Sequence, residues 1–123
     1  MVRIRQGFRT KPIQNIPNAV RSALAEINLQ NIFYPGDSVA ITAGSRGIAN
    51  IVTVLKEIIN ALKEIRSHPF IVPAMGSHGG ATAEGQKKVL EHYGITEETL
   101  GVPIKSSMEV VPIGTTSDGL PVL

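Results

Sequence analysis

Two glycine-flanked polar residues are the side chains of this sequence best suited to chemistry. Arg46 lies within Gly44-Ser-Arg-Gly47, and His78 lies within Gly76-Ser-His-Gly-Gly80. A guanidinium binds carboxylate or phosphate through a planar fork of N–H donors, and an imidazole exchanges protons near neutral pH. The two residues together predict a site that holds a small anion and transfers a proton.

The loop around Arg46 comes directly before a predicted helix. Backbone N–H groups at a helix N-terminus favour an anion, and the hydroxyl of Ser45 adds a further donor. We predict Ser45, Arg46, Gly47 and Ser77 as substrate-binding residues. The alternative is that the glycines only allow a tight turn and that Arg46 is a solvated loop residue.

The glycines around His78 leave its imidazole unshielded, which suits general acid/base chemistry. We predict His78 as the catalytic residue, and the alternative is a loop histidine that bonds a backbone carbonyl. His68 and His92 are predicted on the opposite side of the crossover units, so no metal site is expected within this chain. The chain has no Cys, which excludes disulfides, thiolate metal sites and a cysteine nucleophile.

A repeated pattern of strand, glycine loop and helix positions the two loops. The predicted elements are a strand at 39–43, a helix at 48–66, a strand at 69–74 and a helix from 82 to 92. Both strands lack charged residues and are predicted to be buried. Consecutive parallel strands end at the same edge of a sheet, which places Arg46 and His78 within about 10 Å of each other.

Weaker patterns predict the remaining elements. These are an edge strand at 1–8, a helix at 17–29, a helical turn at 96–101, a strand at 109–113 and a hairpin loop at 114–119 with a returning strand at 120–123. The pattern as a whole predicts an α/β fold with a small, mostly parallel Rossmann-like sheet, crossover helices and a C-terminal hairpin or edge strand.

Residues 1–123 are predicted to form one α/β domain. Because the chain stops just as a strand begins, we expect this to be the N-terminal domain of a longer two-domain protein, truncated at this point. The alternative is a complete chain that ends on an edge strand. Truncation would leave apolar sheet surface exposed, and a dimer could form through that surface.

The composition favours an ordinary globular, cytoplasmic protein. Of the 123 residues, 42% are hydrophobic and 18% charged, and the formal net charge is +2. The basic residues are dispersed, so no nucleic-acid partner is expected. No segment has the apolar length of a membrane span or the pattern of a signal peptide, so no membrane partner is expected either.

Several common site motifs are missing from the sequence. Neither a Walker A lysine pattern nor a complete Gly-x-Gly-x-x-Gly is present, so nucleotide binding has no motif to support it. Ser45 and Ser77 do not lie in a nucleophile-elbow sequence. The polar loop Thr115-Thr-Ser-Asp118 could reach the same edge as the two glycine loops, but its Asp-Gly step is also a common hairpin-turn signal.

Three segments resemble the N-terminal region of the nickel-pincer lactate racemase family. They are Ala43-Gly-Ser-Arg-Gly-Ile-Ala-Asn50, Pro73-Ala-Met-Gly-Ser-His-Gly-Gly-Ala-Thr-Ala-Glu-Gly-Gln86 and Val111-Pro-Ile-Gly-Thr-Thr-Ser-Asp-Gly119. The resemblance implies an α/β domain that faces a second domain across a cleft, where a nickel pincer nucleotide shuttles a hydride from a 2-hydroxy acid. It implies that Arg46 binds the substrate carboxylate and that His78 is one of two histidines that exchange the hydroxyl proton.

The same resemblance makes Gly76, Gly79, Thr115 and Thr116 the candidate contacts to the cofactor. It places the lysine that carries the cofactor, the nickel-binding histidine and the second acid/base histidine in later sequence. No covalently bound cofactor is therefore expected on this chain.

The sequence departs from the family pattern at two places. Members that resemble lactate racemase itself usually carry an Asp three residues before the arginine and an Arg-Pro directly after the histidine. Here those positions hold Ala43 and Gly79-Gly80. The substrate therefore need not be lactate.

Two functions from different classes follow. The first is an isomerase, in which this chain is the N-terminal part of a racemase or epimerase of 2-hydroxy acids that acts by proton-coupled hydride transfer. The alternative is a noncatalytic carboxylate- or phosphate-binding module, or a subunit of a split assembly, that uses Arg46 and the glycine loops. Only the racemase needs His78.

Overall fold

The computed structural model of the protein describes residues 2–5, 7 and 11–123. The helices are α1 (Ile16–Ile27), α2 (Ile51–Glu64), α3 (Ala83–His92) and the single turn α4 (Glu97–Leu100). The strands are β1 (Ser38–Ala43), β2 (His68–Pro73), β3 (Gly114–Thr115) and β4 (Pro121–Val122). Short 3-10 turns lie at Leu29–Asn31 and His78–Ala81.

Strands β1 and β2 form a parallel pair connected through α2. The register runs from Ser38 opposite His68 to Ala43 opposite Pro73, so the two strands end level with each other. The backbone N–H of Ala74 donates to the carbonyl of Ala43 at 2.8 Å, which continues the pairing one residue further. The loops that follow β1 and β2 therefore leave the sheet at the same edge, as the sequence predicts.

A short segment at 103–105 extends the sheet on the other side of β2. The N–H of Ile71 donates to the carbonyl of Pro103 at 2.9 Å, and the N–H of Lys105 donates to the carbonyl of Ile71 at 2.8 Å. These two bonds form a parallel bridge between Ile71 and Ile104. No sequence pattern predicts this segment, because a single bridge has no hydrophobic period to detect.

The predicted strand at 109–113 is wrong. This segment is exposed and lies outside any strand, and Ile113 has three quarters (75%) of its surface exposed. Apolar residues such as Val110 and Val111 suggest a strand, but strand formation needs a neighbouring strand to accept the backbone hydrogen bonds. Ile113 donates its N–H to the carbonyl of Val122 at 2.8 Å, and the strand pairing itself begins only at Gly114. The predicted hairpin is confirmed with a shorter loop, since Gly114 and Thr115 of the predicted loop form β3, which pairs in antiparallel fashion with β4.

The predicted edge strand at 1–8 is not seen in the part of the chain that the structure describes. Residues 2–5 and 7 carry no strand, and Val2 and Ile4 are exposed. Met1, Gln6 and Phe8 of that prediction lie outside the described residues. At the described residues 2–5 and 7, the alternation of apolar and basic residues does not lead to pairing with a sheet.

The core lies between one face of the small sheet and the helices α2, α3 and α4. Its buried residues include Leu55 and Ile59 from α2, Ile71 from β2, Leu90 from α3 and Leu100 from α4. Helix α1 packs against α2 and is linked to it by an ion pair between Arg21 and Glu57 at 2.7 Å.

The outer face of the sheet is more open than the sequence predicts. In β1, Ser38, Ala40 and Thr42 are exposed, while Val39 and Ile41 are half-buried and Ala43 is buried. Strand β1 is therefore half-buried instead of fully buried. This open face is the kind of surface through which a dimer could form, and that dimer stays a prediction.

The boundaries of the helices follow their capping residues. Asn15, Thr82 and Thr96 each accept a hydrogen bond from a backbone N–H in the first turn, which starts α1, α3 and α4 where the sequence predicts. Helix α2 is shorter than the predicted 48–66 because Asn50 has a left-handed backbone with φ of 61°, and the helix can begin only after it.

Taken together, the described residues form a mixed α/β fold with a small parallel sheet and a C-terminal hairpin. None of the helices in the described ranges is long and apolar enough to cross a membrane.

The position of the core predicts how two isoleucine substitutions differ. Ile71 is fully buried under the helices and Ile113 is exposed. We expect Ile71→Ala to lower the free energy of unfolding by about 2–5 kcal/mol, and the control Ile113→Ala to change it by less than about 0.5 kcal/mol. Urea unfolding followed by circular dichroism measures both. Equal effects of the two substitutions would contradict this description of the core.

Candidate functional site

The loops after β1 and β2 line one shared pocket of about 340 Å³. Its lining residues are Gly44, Ser45, Arg46 and Ile48 from the first loop, and Ala74, Met75 and His78 from the second. The prediction that Arg46 and His78 lie together at one edge of the sheet is therefore confirmed. The level ends of β1 and β2 are the physical reason.

Ser45 and His78 contact each other directly across the pocket. The Oγ atom of Ser45 lies 2.5 Å from Nδ1 of His78. A hydrogen bond at Nδ1 fixes the orientation of the ring, and when Nδ1–H donates to the hydroxyl, Nε2 keeps a free lone pair. In that tautomer the ring could accept a proton at Nε2. Sequence reasoning placed Ser45 beside the substrate and did not predict its contact with His78.

The guanidinium of Arg46 is available to an anion. Arg46 is exposed, and its side chain makes no hydrogen bond or ion pair within the described ranges 2–5, 7 and 11–123. Among those residues, the pocket lining contains no carboxylate that would compete for it. A carboxylate or phosphate entering the pocket would therefore meet one positive charge and one imidazole.

One predicted detail of the first loop is wrong. The sequence predicts the Gly44–Gly47 loop directly at a helix N-terminus, but a turn at Ile48–Asn50 separates it from α2. The free N–H groups of α2 therefore begin several residues beyond Arg46. The predicted anion site would therefore rely on the Arg46 side chain instead of the helix dipole.

The second loop depends on two glycines that touch each other. Gly79 has φ of 66°, and a Cβ built on it would lie 2.4 Å from the backbone carbon of Gly85. A Cβ built on Gly85 would lie 1.7 Å from the carbonyl oxygen of Gly79. Neither position can hold a side chain while this packing is kept. The loop that carries His78 is thus pressed directly against the first turn of α3.

Gln86 and Tyr93 contact the two loops, and sequence reasoning missed both. Gln86 is buried, and its Nε2 donates to the carbonyl of Gly76 at 2.8 Å. The hydroxyl of Tyr93 donates to the carbonyl of Ser45 at 2.7 Å. A glutamine on the apolar face of a helix needs a hydrogen-bond partner for its amide. This rule is the signal in the sequence that points to a contact by Gln86. No sequence pattern links Tyr93 to residue 45, which lies 48 positions earlier.

The structure does not bring the other predicted site residues into the pocket lining. Ser77 is exposed beside His78, and Gly47 lies near the ring of Tyr93. Thr115 and Thr116 belong to the C-terminal hairpin, where the Oγ1 of Thr116 accepts a hydrogen bond from the N–H of Leu120 at 3.0 Å. That bond stabilises the hairpin turn. A polar side chain that the sequence suggests as a ligand contact therefore bonds the backbone of its own loop.

The predicted cofactor contacts Gly76 and Gly79 serve the loop itself. Gly76 accepts the hydrogen bond of Gln86, and Gly79 packs on Gly85. Across the ranges that the structure describes, no group of three or more His, Cys, Asp or Glu side chains could hold a metal ion.

Comparison of the chain with protein-family models, with curated proteins and with solved structures found no match.

The contact between Gly79 and Gly85 predicts that alanine at position 85 destabilises the protein, which is the opposite of its usual effect in a helix. In a solvated helix, alanine is more favourable than glycine by about 1 kcal/mol. At Gly85 the added methyl would overlap the Gly79 carbonyl, so we expect Gly85→Ala to lower the free energy of unfolding by about 1–3 kcal/mol. Gly114→Ala is the control, because no described atom lies within 4 Å of the place its methyl group would occupy. Chemical unfolding measures both, and a stabilised Gly85→Ala variant would contradict the loop packing.

Proposed function

We propose that this chain is the substrate-binding and proton-transferring part of a racemase or epimerase of 2-hydroxy acids, within the nickel-pincer lactate racemase family. The single observation that supports it best is that Arg46 and His78 line one pocket at the carboxyl ends of two adjacent parallel strands. Ligands of open α/β folds bind at this edge of the sheet. On this proposal the fold is a small Rossmann-like domain.

The chemistry of a 2-hydroxy acid requires two groups close together. Its carboxylate and its hydroxyl are on adjacent carbons, so the residues that bind them must share one small pocket. Arg46 would bind the carboxylate through two parallel N–H donors, which orients the neighbouring carbon. His78 would then lie beside the hydroxyl.

His78 would act as the general base for one of the two enantiomers, and as the general acid when that enantiomer is formed. When the hydrogen on the hydroxyl-bearing carbon leaves as a hydride, for which the bound nickel pincer nucleotide would be the acceptor, the hydroxyl must lose its proton for the carbonyl to form. The free Nε2 of His78 would take that proton, while Ser45 holds the ring at Nδ1. Return of the hydride to the opposite face of the carbonyl, with return of a proton to its oxygen from the second acid/base histidine of the longer protein, would invert the configuration.

The described residues do not provide a donor set for nickel. The residues in the pocket suit the substrate, since a guanidinium, an imidazole and a hydroxyl match a carboxylate and an alcohol. The roles proposed for this chain are therefore limited to binding the acid and moving the hydroxyl proton. The nickel pincer nucleotide and the residues that hold it would belong to the rest of a longer protein.

The two departures from the family pattern have structural counterparts. Position 43 is an alanine that is buried in the core, so it offers no carboxylate to neutralise Arg46. Gly80 has φ of 69°, whereas proline is fixed near −65°. An Arg-Pro sequence could not adopt this loop conformation. We therefore propose a substrate other than lactate, held by a differently shaped histidine loop.

The alternative function is a noncatalytic carboxylate- or phosphate-binding module. The observation that favours it is the guanidinium of Arg46, which has no partner among the described residues and could bind an anion without His78. The two functions differ in what the loss of the imidazole would do. A binding module would keep its function, and a racemase would lose turnover.

The test uses the full natural protein loaded with the nickel pincer nucleotide. Interconversion of the two enantiomers of 2-hydroxy acids is followed by chiral chromatography. We expect His78→Ala to lower kcat by about two to four orders of magnitude, the usual value of a general base, while binding of the acid persists. We expect Arg46→Ala to raise KM by roughly 10- to 100-fold, because a charge-assisted hydrogen bond is worth about 1.5–3 kcal/mol.

Matched controls are His68→Ala, at the opposite end of β2, and Arg3→Ala, an exposed arginine far from the pocket in sequence. Both should leave turnover unchanged. Unchanged turnover in His78→Ala would overturn the catalytic role of this residue. A loaded protein that binds hydroxy acids through Arg46 but never interconverts them would favour the binding module.

A further inference from the structure

We infer that helix α3 positions both loops of the pocket, with Gln86 and Tyr93 as the positioning residues; this inference rests on the proposed function for the roles of Arg46 and His78. Gln86 lies in the first half of α3, and Tyr93 directly follows its last residue. One rigid element therefore reaches the His78 loop at one end and the Arg46 loop at the other.

Gln86 holds the His78 loop. Its side chain is only 6% exposed, and its Nε2 donates to the carbonyl of Gly76, two residues before His78. Gly76 has a left-handed backbone with φ of 58°. The amide of Gln86 thus satisfies a carbonyl at the point where the chain turns from β2 into the loop. The adjacent contact between Gly79 and Gly85 presses the other side of the same loop onto α3.

Tyr93 holds the Arg46 loop. Its ring packs against the hydrophobic core, and its hydroxyl donates to the carbonyl of Ser45, directly before Arg46. The aromatic ring of Tyr93 also lies next to Gly47, on the other side of Arg46. The backbone on both sides of the arginine is therefore set by one tyrosine.

Three hydrogen bonds connect α3 to the two loops and the two loops to each other. Ser45 is held at its carbonyl by Tyr93, and its hydroxyl contacts His78. His78 belongs to the loop that Gln86 holds. Both partners of the Ser45–His78 contact are thus attached to α3, and a change at either end of the helix should alter the same hydrogen bond. This predicts an effect on the imidazole from two residues that do not touch it.

Two substitutions remove the polar contacts and keep the bulk. Tyr93→Phe removes only the hydroxyl, and Gln86→Met keeps the length of a buried side chain without its N–H donors. The ring nitrogens of His78 are followed by ¹⁵N NMR, because their chemical shifts report which nitrogen carries the proton. Ser45→Ala supplies the reference spectrum for a His78 that lacks its hydroxyl partner, and His78→Ala assigns the signals.

We expect both substitutions to move the His78 ring nitrogens most of the way to their Ser45→Ala positions. The matched controls are Tyr34→Phe, at an exposed tyrosine, and Gln14→Met, at an exposed glutamine. These controls should leave the His78 signals in place. The signals of His68 and His92 serve as internal references in every spectrum.

A purely structural role would give a different result. If Tyr93→Phe and Gln86→Met lower the melting temperature while the His78 ring signals stay at their wild-type positions, the positioning role is wrong. If Gln86→Met does not fold, Tyr93→Phe alone decides, because it changes one exchangeable group. The readout needs no hydroxy acid and no turnover, so failure of the proposed racemase activity would leave this result interpretable.

Discussion

The level pairing of β1 and β2 is the constraint on which the rest of the site depends. In a parallel pair, a shift by one residue turns every side chain to the other face of the sheet. Here the register is set so that Ile41 and Ile71 both serve the core and Ala43 ends opposite Pro73. The same register brings the two glycine loops out at one height. Burial of aliphatic side chains thereby decides where an arginine and a histidine meet.

The second constraint is the close approach of backbone to backbone at Gly79 and Gly85. It lets a loop lie on a helix with no side chain between them, which brings the neighbouring carbonyl of Gly76 within reach of Gln86. Glycine costs conformational entropy on folding. This entropy is lost at the loop that carries His78. We infer that the hydrogen bonds of Gln86 and Tyr93 hold that loop and the Arg46 loop in place against α3.

The elements that can be predicted from the sequence are those marked by a local sequence pattern. Hydrophobic period and capping residues located α1 to α4 to within a few residues, and turn chemistry located β1, β2 and the hairpin. The bridge at Ile104 and the exposure of 109–113 depend on which segments find a sheet partner, and that is a tertiary property. The contacts of Ser45, Gln86 and Tyr93 were also beyond local patterns, because each joins residues far apart in the chain.

On the proposed function, Arg46 and His78 would bind one and the same small acid. The most direct measurement is a titration of the protein with a 2-hydroxy acid, in which the side-chain Nε–H of Arg46 and the ring signals of His78 are followed together by NMR. We predict that both sets of signals move with a single midpoint, and that Arg46→Ala abolishes the response at His78. A response at only one of the two residues, or two different midpoints, would contradict it.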